Sequence, residues 1–162
     1  MNIIKWKKLY ENNKRLDNIF IEKYKNDDRL FEKNCIEFLV EIGEFTNETK
    51  VFKYWSKKEA DREKVLSEYA DVITMILTFY GTINLEFVNI NVDIEEDDII
   101  KVIQHLFEIA PSIEYDLKED LIKYIFKLVL HIGNLIGLKE DEIIESIENK
   151  QRIIEERLNS DY

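Results

Sequence analysis

One proline and four glycines in 162 residues leave this chain few places to turn sharply. Sandwiches and barrels need turn residues about every 8–12 positions, so the scarcity points to long helices joined by a handful of loops. Apolar residues recur at helical spacing, as in Cys35, Leu39, Ile42 and Phe45. The pattern predicts helices over residues 2–25, 29–46 and 61–80, the third stopping at Gly81. A fourth is expected from a cap at Asp97 or Asp98 to near Pro111, a fifth over 117–136, and a last one from the Gly137-Leu138-Lys139 break to about Asn159. Residues 50–59 and 82–93 read as connections. Five or six helices in a compact bundle, an all-α fold occupying 1–162 as a single domain, is the architecture expected.

Composition sets limits on function. Hydrophobic residues make up 45% and charged residues 35%, a globular balance. A net charge of −11 argues against a duplex-binding surface, because phosphate contacts need a concentrated basic face. An anionic small molecule remains compatible if a cation offsets the repulsion, so acidic clusters are read first as cation sites. The lone Cys35 has no internal disulfide partner and sits among apolar neighbours. No apolar run approaches a membrane span, and the segment with Trp6, Lys7, Lys8 and Tyr10 lacks the apolar stretch of a secretory signal. A cytoplasmic protein without membrane or nucleic-acid partners is expected.

Two acidic pairs stand out. In Glu41-Ile42-Gly43-Glu44 the carboxylates lie three apart and project from one helical face, with Glu37 and Glu48 extending the stripe. Such a stripe is either a solvated acidic face or half of a cation site. In Glu68-Tyr69-Ala70-Asp71 the acids lie on a helix that is apolar almost all round, where Glu68, Asp71, Thr74 and Thr78 form its polar stripe. Carboxylates on a core helix must be paired, protonated or metal-bound. Salt bridges are the structural alternative, although Lys64 lies too early on the helix to satisfy both acids. If the two stripes face each other, four carboxylates converge, and an all-oxygen donor set favours Mg²⁺ or Mn²⁺ over zinc.

ExxE on one helix followed by ExxD on another resembles the all-α nucleotide pyrophosphatases, which include MazG-like proteins and dimeric dUTPases. The run from Phe38 to Glu48, followed by Phe52-Lys53-Tyr54-Trp55-Ser56, is similar to the dimeric dUTPases, with their LVExGExxNE, FKxWS and EExxD patterns. The similarity is dense over 38–71 and thinner elsewhere. It implies that Glu41, Glu44, Glu68 and Asp71 hold Mg²⁺, with Glu48 as a further ligand or neighbour. It places Lys53 and Trp55 beside the nucleotide, although the same aromatic segment also fits a lid over the core. At the C-terminus, Lys150, Arg157 and Tyr162 keep the spacing of a KNxxNxxRQxxxY pattern, so Lys150 and Arg157 are expected to meet phosphates.

Departures from the family pattern cluster at positions that surround the nucleoside in the family. A glutamine of its first motif falls on Asn13, a histidine on Thr74, and two C-terminal asparagines on Gln151 and Ile154. Asn13 and Thr74 are therefore candidate substrate contacts in altered form. The resemblance implies metal-assisted hydrolysis of dUTP, and of dUDP as well, with Glu41 or Glu44 accepting the proton of the attacking water, in a homodimer. Two rivals are a broader MazG-like nucleotide pyrophosphatase and a non-catalytic all-α dimeric interaction module. His105 and His131 lie in apolar helical segments and read as structural, and Asp93 to Asp98 reads as helix capping rather than a calcium loop. The absence of a glycine-rich phosphate loop argues against P-loop chemistry.

Overall fold

A computed structural model describes residues 1–160, so Tyr162 lies outside the described residues. The elements are α1 (Ile3–Lys23), α2 (Leu30–Thr49), α3 (Arg62–Thr82), α4 (Ile99–Ile109), a 3₁₀ turn (Ala110–Ser112) leading into the short α5 (Ile113–Asp116), α6 (Glu119–Leu135) and α7 (Glu140–Asn159). Among the described residues there is no strand, and no single helix is long and apolar enough to cross a membrane.

Side-chain caps fix several helix starts. The Asn2 carbonyl oxygen accepts from the Lys5 amide at 3.3 Å, Asp61 from the Glu63 amide at 3.1 Å, and Asp98 from the Ile100 amide at 3.0 Å. The expected capping role of the 93–98 acidic run is thus filled by Asp98. At α7 the Glu142 carboxylate reaches back to the Lys139 amide at 3.0 Å and is held by Arg62 at 2.6 Å.

Gly81 does not stop α3. It lies inside the helix, which continues to Thr82 and is capped at Ile83. The left-handed turn that glycine serves so well occurs instead at Gly137 (φ +72°), between α6 and α7. Lys50 takes the same conformation (φ 57°) to end α2, three residues later than the periodicity predicts.

Helix α3 is the hub, packing against α1, α2, α6 and α7 at once. That is why it is apolar on nearly every face, with Tyr69, Ala70, Val72, Ile73, Ile76, Leu77, Phe79 and Tyr80 fully buried. Aromatic edges lock its neighbours in place: Phe45 of α2 lies 5.3 Å from the Tyr69 ring, and Phe38 lies 5.4 Å from Phe79. The Tyr69 hydroxyl donates to the Val129 carbonyl at 2.9 Å, tying α3 to α6.

The connection after α3 has no regular structure, yet it is anchored. Phe87 is buried against Trp6, Tyr10, Tyr80 and Phe126, and the Leu85 carbonyl accepts from the Tyr10 hydroxyl at 2.9 Å. His131 supports the same segment, its Nε2 lying 2.6 Å from the Glu96 carbonyl, and His105 meets the Tyr124 hydroxyl at 3.0 Å. His131 is buried and holds structure together as expected, whereas His105 makes its contact at the surface. Cys35 is buried, and burial pushes its thiol up to about 11, so it behaves as a small apolar residue.

Candidate metal centre

Helices α2 and α3 bring the two acidic pairs face to face. One carboxylate oxygen from each of Glu41, Glu44 and Glu68 lies within 4.8 Å of the others. Glu44 is exposed, whereas Glu41 and Glu68 are partly buried. Glu44 and Glu68 border a cleft of about 380 Å³, lined also by Val40, Gly43, Asn47 and Glu48. Glu48 thus belongs to the cleft wall, next to Asn47, whose amide donates to it at 3.3 Å.

Asp71 approaches the same cluster but is engaged differently. Its Oδ2 lies 2.6 Å from the Lys150 ammonium, which α7 supplies from across the helix pair. Among the described residues this is the one salt bridge made by any of the four carboxylates.

The electrostatics record a shortage of positive charge. Burial, then the charges of Asp71, Glu44, Glu37 and Glu68, push Glu41 up to about 7. Glu68 is raised by burial and by Asp71 and Glu44, against a smaller opposing effect of Lys150. Asp71 is raised too, because burial outweighs the hydrogen bond from Lys150. An oxygen-only donor set with a single ammonium in contact suits a hard divalent cation. Such an ion would reverse these upward shifts by supplying the missing opposite charge.

A second polar cluster lies further along α3. The Asn13 amide nitrogen donates to Asp17 Oδ2 at 2.9 Å, to Thr78 Oγ1 at 3.1 Å and to the Thr74 carbonyl at 3.4 Å. Gln151 Nε2 donates to the Asn13 carbonyl oxygen at 3.4 Å and to the Leu9 carbonyl at 2.9 Å, while Asn12 donates to Gln151 Oε1 at 2.8 Å. The Thr74 hydroxyl is turned back onto the Ala70 carbonyl of its own helix at 2.8 Å. Three positions at which the chain departs from the family pattern therefore meet in space, with Asn13 and Gln151 bonded side chain to side chain. All three are buried, Asn13 to 1% exposure and Gln151 to 2%.

Asp17 is the residue that sequence reading missed. Burial pushes its carboxyl up to about 6, against the lowering effect of hydrogen bonds from Thr78 and Asn13. The signal was present: Asp17 follows Asn13 by one helical turn, beside an inward stripe of Trp6, Leu9, Tyr10, Asn13 and Leu16. Thr78, its partner, lies seven residues beyond Asp71, roughly 10 Å along α3.

The remaining candidates are not brought to the carboxylates. Trp55 is 63% exposed in the α2–α3 connection, in edge contact with Phe52 and Tyr54. Lys53 lies over the Phe52 ring at 5.7 Å. Arg157, on the last turn of α7, is exposed and acts on Asp71 through its field rather than by contact.

An all-α fold whose hub helix and its partner present facing ExxE and ExxD carboxylates defines the all-α nucleoside-triphosphate pyrophosphatases. A family model described as dUTPase matches residues 5–162, nearly the whole chain, and the protein belongs to that all-α dUTPase family. It is accordingly an enzyme of the nucleoside-triphosphate pyrophosphatase type, with dUTP pyrophosphatase activity at the level of the family. Among curated proteins none matches the chain.

Proposed function

We propose that the protein hydrolyses dUTP to dUMP and pyrophosphate with Mg²⁺, accepting dUDP as well, and that Glu41, Glu44, Glu68 and Asp71 hold the metal. The observation that carries this reading is the convergence of Glu41 and Glu44 of α2 with Glu68 of α3, carboxylate oxygens within 4.8 Å of one another. Bound there, the ion would neutralise charge developing on phosphoryl oxygens and acidify a water. Glu41 or Glu44 accepts the proton of the attacking water on a carboxylate oxygen. Lys150 and Arg157, on one face of α7, pair with phosphate oxygens and hold the chain of the substrate in line for attack. The nucleoside extends along α3 toward Thr78 and Asp17, a distance that suits a nucleotide whose phosphates lie at Asp71. Mn²⁺ substitutes for Mg²⁺ in such a donor set.

The enzyme is proposed to act as a homodimer. Exposed Phe52, Tyr54, Trp55, Ile100 and Phe107 support this, since a monomer rarely leaves so many large apolar side chains in water within one region. In that arrangement Lys53 and Trp55 lie near the nucleotide of one or other subunit.

A second reading has its own support. Asn13, Thr74 and Gln151 satisfy one another or their own backbone, so they offer a nucleobase fewer free donors and acceptors. A pyrophosphatase with broader base tolerance follows from that. Pyrophosphate release from dUTP, dTTP, dCTP, dATP and dGTP, with Mg²⁺ and with chelator, decides the matter. Selective, metal-dependent release from dUTP supports the first reading, and release from several substrates supports the second. Glu68→Gln and Asp71→Asn are expected to abolish turnover while circular dichroism stays that of the wild type; near-normal turnover in either variant removes the assigned metal set.

A further inference from the structure

The Asp71–Lys150 contact joins a carboxylate assigned to the metal with an ammonium assigned to the substrate. Both cannot serve their assigned roles while they hold each other. We propose that Lys150 is a tethered stand-in for the metal: in the metal-free protein its ammonium occupies Asp71, and an arriving divalent cation displaces it. Displacement frees the ammonium for the anionic substrate, so cation loading precedes and enables phosphate capture. This inference rests on the metal reading above.

Three features support it. The pair is short, at 2.6 Å, and its side chains are only 24% and 20% exposed, so water screens it less than a surface pair. Asp71 also shares a face of α3 with Glu68, three residues before it. An unpaired Asp71 would add to the repulsion among all four acids, and Lys150 is the counter-charge in contact with it. Finally, the backbone beneath Lys150 is pinned. Ile147 is fully buried, and Gln151 is bonded to the Leu9 carbonyl, to Asn13 and to Asn12. Exchange therefore needs only rotation of the four-carbon stem, with α7 staying in place.

An intramolecular competitor lowers the apparent affinity of the cation for its site. Mn²⁺ binding is to be measured calorimetrically without nucleotide, on wild type, Lys150→Met, Asp71→Asn and the double variant. Lys150→Met is expected to bind Mn²⁺ roughly fivefold more tightly than wild type, in line with the worth of a partly buried pair. In the Asp71→Asn background the same substitution is expected to have less than about half that effect, because the contact is already gone. Equal or weaker binding by Lys150→Met overturns the inference, as does a gain that persists undiminished beside Asn at 71, which would make Lys150 a diffuse field only. No Mn²⁺ binding by wild type overturns the metal reading and this inference together. Lys150→Gln, measured alongside and checked by circular dichroism, supplies the same comparison if the methionine variant folds poorly.

Discussion

Asp17 offers the sharpest test of the electrostatic reading, since one substitution removes its charge and leaves its shape. Burial raises its carboxyl from 3.8 to about 6. A carboxyl whose folded value is raised binds its proton more tightly in the folded state. Its contribution is therefore most favourable below the unfolded value, near pH 4, and is lost as pH rises through about 6. The rise from 3.8 to about 6 corresponds to roughly 3 kcal/mol as an upper bound. Asp17 is partly rather than fully buried, so about 1–2 kcal/mol is the reasoned expectation.

Asn at this position can keep the network intact. Its carbonyl oxygen accepts from Asn13, its amide donates to Thr78 Oγ1, and the Thr78 hydroxyl donates to the Thr74 carbonyl, already 3.2 Å away. Asp17→Asn is thus expected to stabilise the protein at pH 8 by about 1–2 kcal/mol, or roughly 2–8 °C in Tm for a chain of this size. The gain is expected to vanish by pH 4. Urea denaturation of both proteins from pH 4 to pH 8, in chelator, isolates the contribution of Asp17 together with its weaker coupling to the Glu37 charge. A stability difference that does not change with pH refutes the burial account, and a loss of stability at pH 8 refutes the hydrogen-bond account.

Gly43 sits inside α2, and a methyl group there would meet nothing within 4 Å, so packing does not require glycine. Gly43→Ala is expected to raise stability by about 1 kcal/mol on denaturation and to impair turnover, because the methyl enters the cleft beside Glu44 and Glu68. At Gly133 the opposite holds: an added Cβ would lie 2.6 Å from the Tyr69 hydroxyl. Gly133→Ala is expected to cost about 1–3 kcal/mol on the same assay. Among the described residues the Tyr80 hydroxyl is buried without a partner, so Tyr80→Phe is expected to be neutral or to stabilise by about 1 kcal/mol; a clear loss in Tm would reveal a partner for that hydroxyl.

The fold was legible because its signals are local. Helical spacing and caps placed α1, α2, α3, α6 and α7 to within a few residues, and Asp98 could be named as a cap in advance. Boundaries failed where long-range packing decides. Gly81 looked like a stop, but α3 is held on every side by other helices and runs through it. The pairing of ExxE with ExxD was legible as two stripes, since each lies on a single face. What spacing did not show is that Lys150, remote in sequence, would reach Asp71, or that Asn13, Thr74 and Gln151 would meet. Those are tertiary facts, set by how α1 and α7 lie across α3. Asp17 escaped notice because a single acid on a mostly polar helix carries no pattern of its own.

The placement of the acids on the hub helix has an energetic logic. Glu68 and Asp71 share α3 with a series of fully buried apolar side chains, each contributing about 1.5–3 kcal/mol when buried. That burial opposes the repulsion and desolvation of the carboxylates the helix carries. A helix lying on the surface, with fewer such contacts, would fray or slide to spread the charges apart. The same packing keeps the backbone beneath the carboxylates from adjusting to whatever they bind. That places the adjustable parts of the site on side chains: Glu44 at the exposed edge and Lys150 on its flexible stem.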